Sequence, residues 1–488
     1  MFKQVSRFFV AMMILIVLTI SAGAQGFLTT VQDRANPDEL EIYIHVMILE
    51  ATGSNPNPIP VVYLEGGPGG GAFGQLDSMI NHPVRQQHDI ILIDQRGTGF
   101  SDPLMNCPEI EQGTSDNPVA ECRDRLISEG IDLQDYSSAN SATDVKEVVE
   151  ALGHEQVHLW GNSYGTKLAL TIMRDHPQIV RSAVIDSVFA LETDDWAIEG
   201  PALLDSVEML IALCTEDAAC SSAYPNFEQT LASVIEAEEP FVGQITNDND
   251  ELEELELYGM DVLNMLFGAF YITPTIGYLP YGIDLIANSN GDDGMLEEGY
   301  YVLKGDYRPG EAENMTESVV DGNETVDEYF EEFGDFMMSE GMGFSVDCQE
   351  EDLLADEAMA LEILDPLPDV FYDMSLDSMY GDITNCESWG VDPADLIENE
   401  RVISDIPTLI TSGAFDPATP VSSGDSVLKG LSNGIHIIFP NGGHGITLTD
   451  TPSGECAKSI VVEFLSNPDT APDTSCVAAT GAVQFYTP

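Results

Sequence analysis

The spacing of apolar and polar positions divides the chain into three stretches. In the first, Glu41–Leu49 alternates as a half-buried strand does, whereas 58–64 and 89–93 are short unbroken apolar runs of the kind found in a sheet covered on both faces. An amphipathic helix over 144–152, closed by Gly153, leads to further buried runs at 157–160 and 182–186. Strand and helix alternate, which predicts a mostly parallel α/β sheet. From 191 to 400 the pattern turns helical, acidic and methionine-containing, with helices expected at 203–213, 227–237, 252–271 and 326–338 and no clear buried strand. The α/β pattern resumes at 407–413 and 435–439, and a last helix is expected at 455–465. The boundaries that follow are a leader at 1–24, a first core segment at 25–190, an inserted helical cap at 191–400 and a closing core segment at 401–488.

The leader rests on Lys3 and Arg7, an apolar run at 8–20 and the small residues Ala22-Gly23-Ala24, the order of a secretory signal with cleavage after Ala24. The run falls short of the ~20 apolar residues of a bilayer span, and no later stretch approaches that length, so no stable membrane insertion is expected. A secreted or periplasmic location also suits the eight cysteines, an even number lying wholly after the leader. Sequence-neighbour pairing, with Cys107 to Cys122, Cys214 to Cys220, Cys348 to Cys386 and Cys456 to Cys476, closes four local loops. A formal charge of −69 repels nucleic acid and anionic lipid, and fits a solvated acidic surface. The sequence sets no oligomeric state.

Candidate chemistry centres on Gly161-Asn162-Ser163-Tyr164-Gly165, between a buried run and a helix-forming Lys167-Leu168-Ala169-Leu170. Glycines two residues either side of a serine permit the sharp strand-to-helix turn that exposes a nucleophile above a sheet. Such a serine needs a base, and the base needs a carboxylate to fix its tautomer. Each resumed run delivers one: Asp416 in Ser412-Gly413-Ala414-Phe415-Asp416-Pro417, and His444 in Gly442-Gly443-His444-Gly445. Ser163, Asp416 and His444 are therefore the expected catalytic residues. The backbone N–H groups of Tyr164 and of Gly67, in the run Glu65-Gly66-Gly67-Pro68-Gly69-Gly70-Gly71, are the expected oxyanion donors. That run lacks the lysine and hydroxyl of a phosphate loop. Asp94 and Arg96 are read as braces for the neighbouring loop.

These motifs, with Asp94-Gln95-Arg96-Gly97-Thr98-Gly99-Phe100-Ser101, resemble the proline iminopeptidase and tripeptidyl aminopeptidase family of α/β-hydrolases. The segment 406–476, and Cys386 to Trp389, are similar to the C-terminal part of the secreted tripeptidyl branch. One departure is Glu65, where many iminopeptidases carry histidine. The resemblance implies an α/β-hydrolase fold and a secreted serine hydrolase that releases residues or tripeptides from peptides with a free N-terminus. An acid such as Glu192, Asp194, Asp195, Glu238 or Glu239 would then hold the ammonium.

An ester or lactone hydrolase uses the same triad and is the alternative, because fold does not fix substrate. A non-catalytic binding module ranks lower, since no triad member is missing. His154-Glu155-Gln156-Val157-His158 matches the zinc-protease pattern, but that chemistry needs both histidines on one helical face, and 157–160 is expected to be a strand. His45, His82, His88, His176 and His436 show no ligand spacing. The loop Asn288-Ser289-Asn290-Gly291-Asp292-Asp293-Gly294 falls off the register of a calcium loop and is expected to be polar surface. No metal or cofactor is called for.

Overall fold

The short apolar runs become neighbours in one sheet. The computed structural model describes residues 18–20, 23–36, 40–113, 115–246, 252–307 and 338–488. Nine of its strands form a single sheet: β1 (Leu18–Ile20), β2 (Gly23–Val31), β3 (Glu41–Leu49), β4 (Val61–Leu64), β5 (Ile90–Ile93), β6 (Val157–Asn162), β7 (Val180–Asp186), β10 (Thr408–Gly413) and β11 (Gly434–Phe439), with β8 and β9 elsewhere. Their spatial order is β1-β2-β3-β5-β4-β6-β7-β10-β11. Pairing is antiparallel from β1 to β5 and parallel from β5 to β11. This is the α/β-hydrolase fold.

Both faces are covered, which is why β4, β5 and β6 are buried at every position. The helices Ser138–Ala151 and Tyr164–Asp175 pack on one face through Val145, Val149, Leu168 and Ile172. Pro452–Ser466 packs on the other through Ile460, Val461 and Phe464. β3 divides its side chains between the two, Ile42, Ile44 and Val46 to the first face and Met47 and Leu49 mainly to the second.

Several expectations need correction. The helix expected at 144–152 begins six residues earlier, where the Ser137 side chain accepts from Asn140 N–H and caps it. β2 was not foreseen; it pairs with β3, and the expected cleavage point after Ala24 lies inside it. Part of the helix expected at 252–271 is strand. Phe241–Thr246 and Leu252–Leu257 form β8 and β9, an antiparallel hairpin, and the helix starts at Gly259. The hairpin is fixed by tertiary contacts, since Asp293 and Glu297 of the helix Asp293–Lys304 accept from the N–H groups of Gln244 and Thr246. The helix expected at 326–338 lies, but for Met338, outside the described residues, as does most of the leader. Asp292, in the loop compared with a calcium site, caps the helix that follows.

The four disulfides join the sequence neighbours as expected. No helix among the described residues is long and apolar enough to cross a membrane.

Candidate active site

Three loops converge at the carboxyl edge of the sheet. Ser163 follows β6 directly, at φ 54° and ψ −130°, a backbone region that L-residues rarely occupy. The turn is this tight because the flanking glycines touch backbone: a Cβ on Gly165 would sit 2.0 Å from Leu64 O, and one on Gly161 would sit 2.2 Å from Gly165 O. The glycine loop after β4 closes on the serine in the same way. A Cβ on Gly66 would sit 2.8 Å from Ser163 Cβ.

The loop after β10 presents Asp416, whose carboxylate is buried and held by four donors. Ala418 N–H (3.2 Å) and Thr419 N–H (3.0 Å) donate to Oδ1, while Thr419 Oγ1–H (2.6 Å) donates to Oδ2. His444 Nδ1 donates to Oδ2 at 2.8 Å, which leaves Nε2 free for the serine. The imidazole is 10% exposed. Burial alone would lower its pKa, but the Asp416 carboxylate outweighs burial and raises it above the ordinary 6.5. Reciprocally, His444 and the Thr419 donors hold Asp416 below its usual range against the effect of burial.

The loop of His444 is tied to both neighbours. Gly445 N–H donates to Ser187 Oγ (2.8 Å), Gly443 N–H to Thr273 Oγ1 (2.9 Å) and His444 N–H to Tyr271 O (3.1 Å). The Tyr271 ring lies on the imidazole at 4.4 Å between centroids. Ser163 Oγ makes no hydrogen bond to His444 in the structure, a contact that is often long in ligand-free hydrolases and tightens with substrate. The backbone N–H groups of Tyr164 and Gly67 are left unpaired among the described residues, and Gly67 and Ser163 line one cavity.

Asp94 and Arg96 brace loops, as read. Asp94 accepts from His45 Nδ1 and from the N–H groups of Phe73 and Phe100. Arg96 is fully buried, bidentate on Asp144 at 2.7 and 2.9 Å. Glu65 turns back on itself, accepting from Gly66 N–H and Tyr63 O–H, and burial raises its pKa. His158 lies in β6, with Nδ1 2.7 Å from Ser182 Oγ, so the HExxH pattern is split between a turn and a strand. The nearest approach to a metal cluster among the described residues is Cys348, Asp352 and Cys386, whose sulfurs are spent in a disulfide.

Two features were not seen in the sequence. The first is a buried polar network beneath the serine. Lys167, one turn along the elbow helix, pairs with Glu350 (3.2 Å) and Glu351; Glu350 also accepts from Ser138 N–H and Oγ–H, and Ser138 Oγ lies 2.8 Å from Tyr164 Oη. Nothing in the local pattern pairs residues about 200 positions apart, although a lysine inside a buried helix is the one available signal. The second is the cavity in front of Ser163, about 610 Å³. Gly67, Pro68, Tyr271 and Thr419 line it together with seven carboxylates and apolar side chains that include Phe189, Met260, Phe267 and Met374. Asp195 is among the carboxylates; Glu192, Asp194, Glu238 and Glu239 do not line it.

Comparison with known proteins follows this division. The alpha/beta hydrolase fold family matches residues 59–224, and the TAP-like protein family matches 373–476. Both matches run into the segment expected as an insertion. A proline iminopeptidase of Neisseria gonorrhoeae is 29% identical over 154 residues, 32% of this chain and 40% of that protein. One of Neisseria meningitidis is 30% identical over 146 residues, 30% of this chain and 37% of its own length. The chain thus spans about two fifths of the length of the curated relatives it matches. A serine hydrolase from Cycloclasticus zankles superposes with a TM-score of 0.37 at 12% identity, covering 91% of this chain and 98% of the other. Topology and sequence together make this chain an α/β-hydrolase with a TAP-like C-terminal part, related over about a third of its length to the proline iminopeptidases.

Proposed function

We propose that the protein is an exported serine aminopeptidase. Ser163 attacks the scissile carbonyl, His444 takes its proton at Nε2 and returns it to the leaving amine, and Asp416 fixes the imidazole through Nδ1. The N–H groups of Tyr164 and Gly67 hold the oxyanion, and water resolves the acyl-enzyme. The stretch 191–400 acts as a cap that restricts entry to chain ends. Four disulfides support an oxidising location.

One observation carries this reading: a serine at positive φ and an Asp416–His444 pair on adjoining loops, with the serine opening on a cavity walled by carboxylates. A cationic chain end has a use for those carboxylates, whereas the neutral acyl group of an ester or lactone does not. The test compares chromogenic amides of a free amino acid or tripeptide with their N-acetylated forms. Cleavage of the free forms and at least a hundredfold loss on acetylation is the expected result; equal turnover of both, or activity on acyl esters alone, retires the aminopeptidase in favour of the esterase.

A further inference from the structure

The number and arrangement of the cavity carboxylates exceed what one ammonium group needs. Asp195 and Glu199 both act on Tyr271, the ring that lies on His444. Asp195 also feels Glu351 and Asp347, Glu199 feels Asp382, and Asp347 feels Asp352, so the carboxylates form one continuous acidic field. No Lys, Arg or His lines the cavity. The one buried cation nearby, Lys167, sits behind the wall and is occupied by Glu350 and Glu351.

These carboxylates are also short of partners. Among the described residues no donor hydrogen-bonds to the side chains of Asp195, Glu199 or Asp347. The indole N–H of Trp196, a residue only 9% exposed, points toward Asp352 and Asp382 without closing a hydrogen bond to either. Asp195, Glu199, Asp347, Asp352 and Asp382 are partly buried, and partly desolvated carboxylates without donors favour a cationic ligand. Burial, with repulsion from Asp382, holds Asp352 up to about 8 and Glu199 at about 7, so these two keep protons that a cation would displace. A smaller space of about 180 Å³ shares Asp195, Trp196, Glu351 and Asp352 and adds Glu192, Asp194 and Asp356, which extends the acidic field away from the serine.

We infer that the cavity selects substrates whose N-terminal residue carries a second positive charge, lysine or arginine, both cations being met by the carboxylates that line it while apolar neighbours such as Met260 and Phe267 take the side-chain stem. This rests on the aminopeptidase reading and narrows it.

The full chain is assayed with lysyl and norleucyl amides, then with arginyl and citrullyl amides, each pair matched in length and differing in charge. Lysine is expected to exceed norleucine by tenfold to a hundredfold in kcat/KM, on the order of one charged hydrogen-bonded contact. The gap narrows as salt rises, and Nε-acetyl-lysine falls to the level of norleucine. Asp352→Asn and Asp382→Asn lower the lysine-to-norleucine ratio, which is independent of the fraction of folded enzyme. Norleucine equal to or above lysine, a ratio unmoved by both substitutions, or release of tripeptides without regard to charge overturns the proposal. Failure of the aminopeptidase reading shows differently, as equal turnover of Nα-acetyl-lysyl and free lysyl amides. Thermal stabilisation by lysinamide against norleucinamide then reads the cavity without any turnover, and equal shifts from the two reject the inference.

Discussion

The sheet and the stretch between β7 and β10 treat charge in opposite ways. In the sheet every buried charge discussed above has its partner: Arg96 with Asp144, His45 with Asp94, His444 with Asp416. Asp186, at the end of β7, accepts from Thr411 Oγ1 and from Thr447 N–H and Oγ1. Between β7 and β10, Asp195, Glu199 and Asp347 line a cavity, and no donor among the described residues hydrogen-bonds to them. Satisfied charge fixes geometry, which a nucleophile and its base require. Unsatisfied charge stores a demand that a ligand can meet, at a cost in stability until it does. Lys167 joins the two regions, because it leaves the elbow helix to neutralise acids belonging to the insertion.

The sharpest way to break this comparison is at the edge of the sheet. Ser163→Ala is expected to cut kcat by roughly 10⁵- to 10⁶-fold, and Asp416→Asn by about 10⁴-fold, with folding preserved in both. Steady-state kinetics with an active-site titration checks this; residual activity above a hundredth of wild type in either variant removes the triad. Next in size is the link between regions. Lys167→Met leaves Glu350 and Glu351 buried without their cation and is expected to cost about 3–5 kcal/mol, measured by chemical denaturation. A change below ~1 kcal/mol would show that the insertion is not anchored through this residue.

The pH profile sharpens the comparison further. His444 must be neutral to act as base, and Asp416 raises its pKa, so kcat/KM is expected to climb with pH through a limb centred above 6.5. Asp416→Asn removes that carboxylate and should move the limb down; a limb at or below 6.5 in the parent enzyme contradicts the assignment. The smallest effect concerns the unpaired wall. Asp352 is raised to about 8 in the folded chain, so the folded state holds a proton that the unfolded state has released. Its contribution is intact below the unfolded carboxylate pKa and is lost as pH rises toward 8. Asp352→Asn should therefore raise Tm at pH 8 by about 1 °C, roughly 1 kcal/mol for a protein of this size, and by less at pH 5. A lower Tm at pH 8 would mean that the carboxylate already has a partner.

Legibility in the sequence followed the range of the interactions. The strands at 61–64 and 90–93 and the elbow at 161–165 were readable because apolar runs and glycine turns are local events, decided within a few residues. The partners Asp416 and His444 were readable because chain order places each on a loop after a late strand, and the structure pairs them at 2.8 Å. The hairpin at 241–257 was missed because its acidic, leucine-spaced second strand pairs with a first strand that is itself held by Asp293 and Glu297, contacts no local pattern shows. The acidic composition was read as solvated surface. It concealed the seven that face inward, because burial is not encoded in residue type.

By itself, then, the sequence determined the order of most strands and helices of the sheet region, the serine turn, the chain positions of the carboxylate and the imidazole, and the pairing of cysteines close enough to close small loops. Only the tertiary structure decided that Lys167 reaches Glu350 and Glu351, that Thr419 and Tyr271 hold the Asp416–His444 pair, and that acids from 195 to 382 wall one cavity in front of Ser163. The reason is the reach of each force. Propensity, periodicity and turn strain act over a few residues and leave their mark in local order, whereas desolvation and charge pairing depend on which distant segments the packed core brings within a few ångströms.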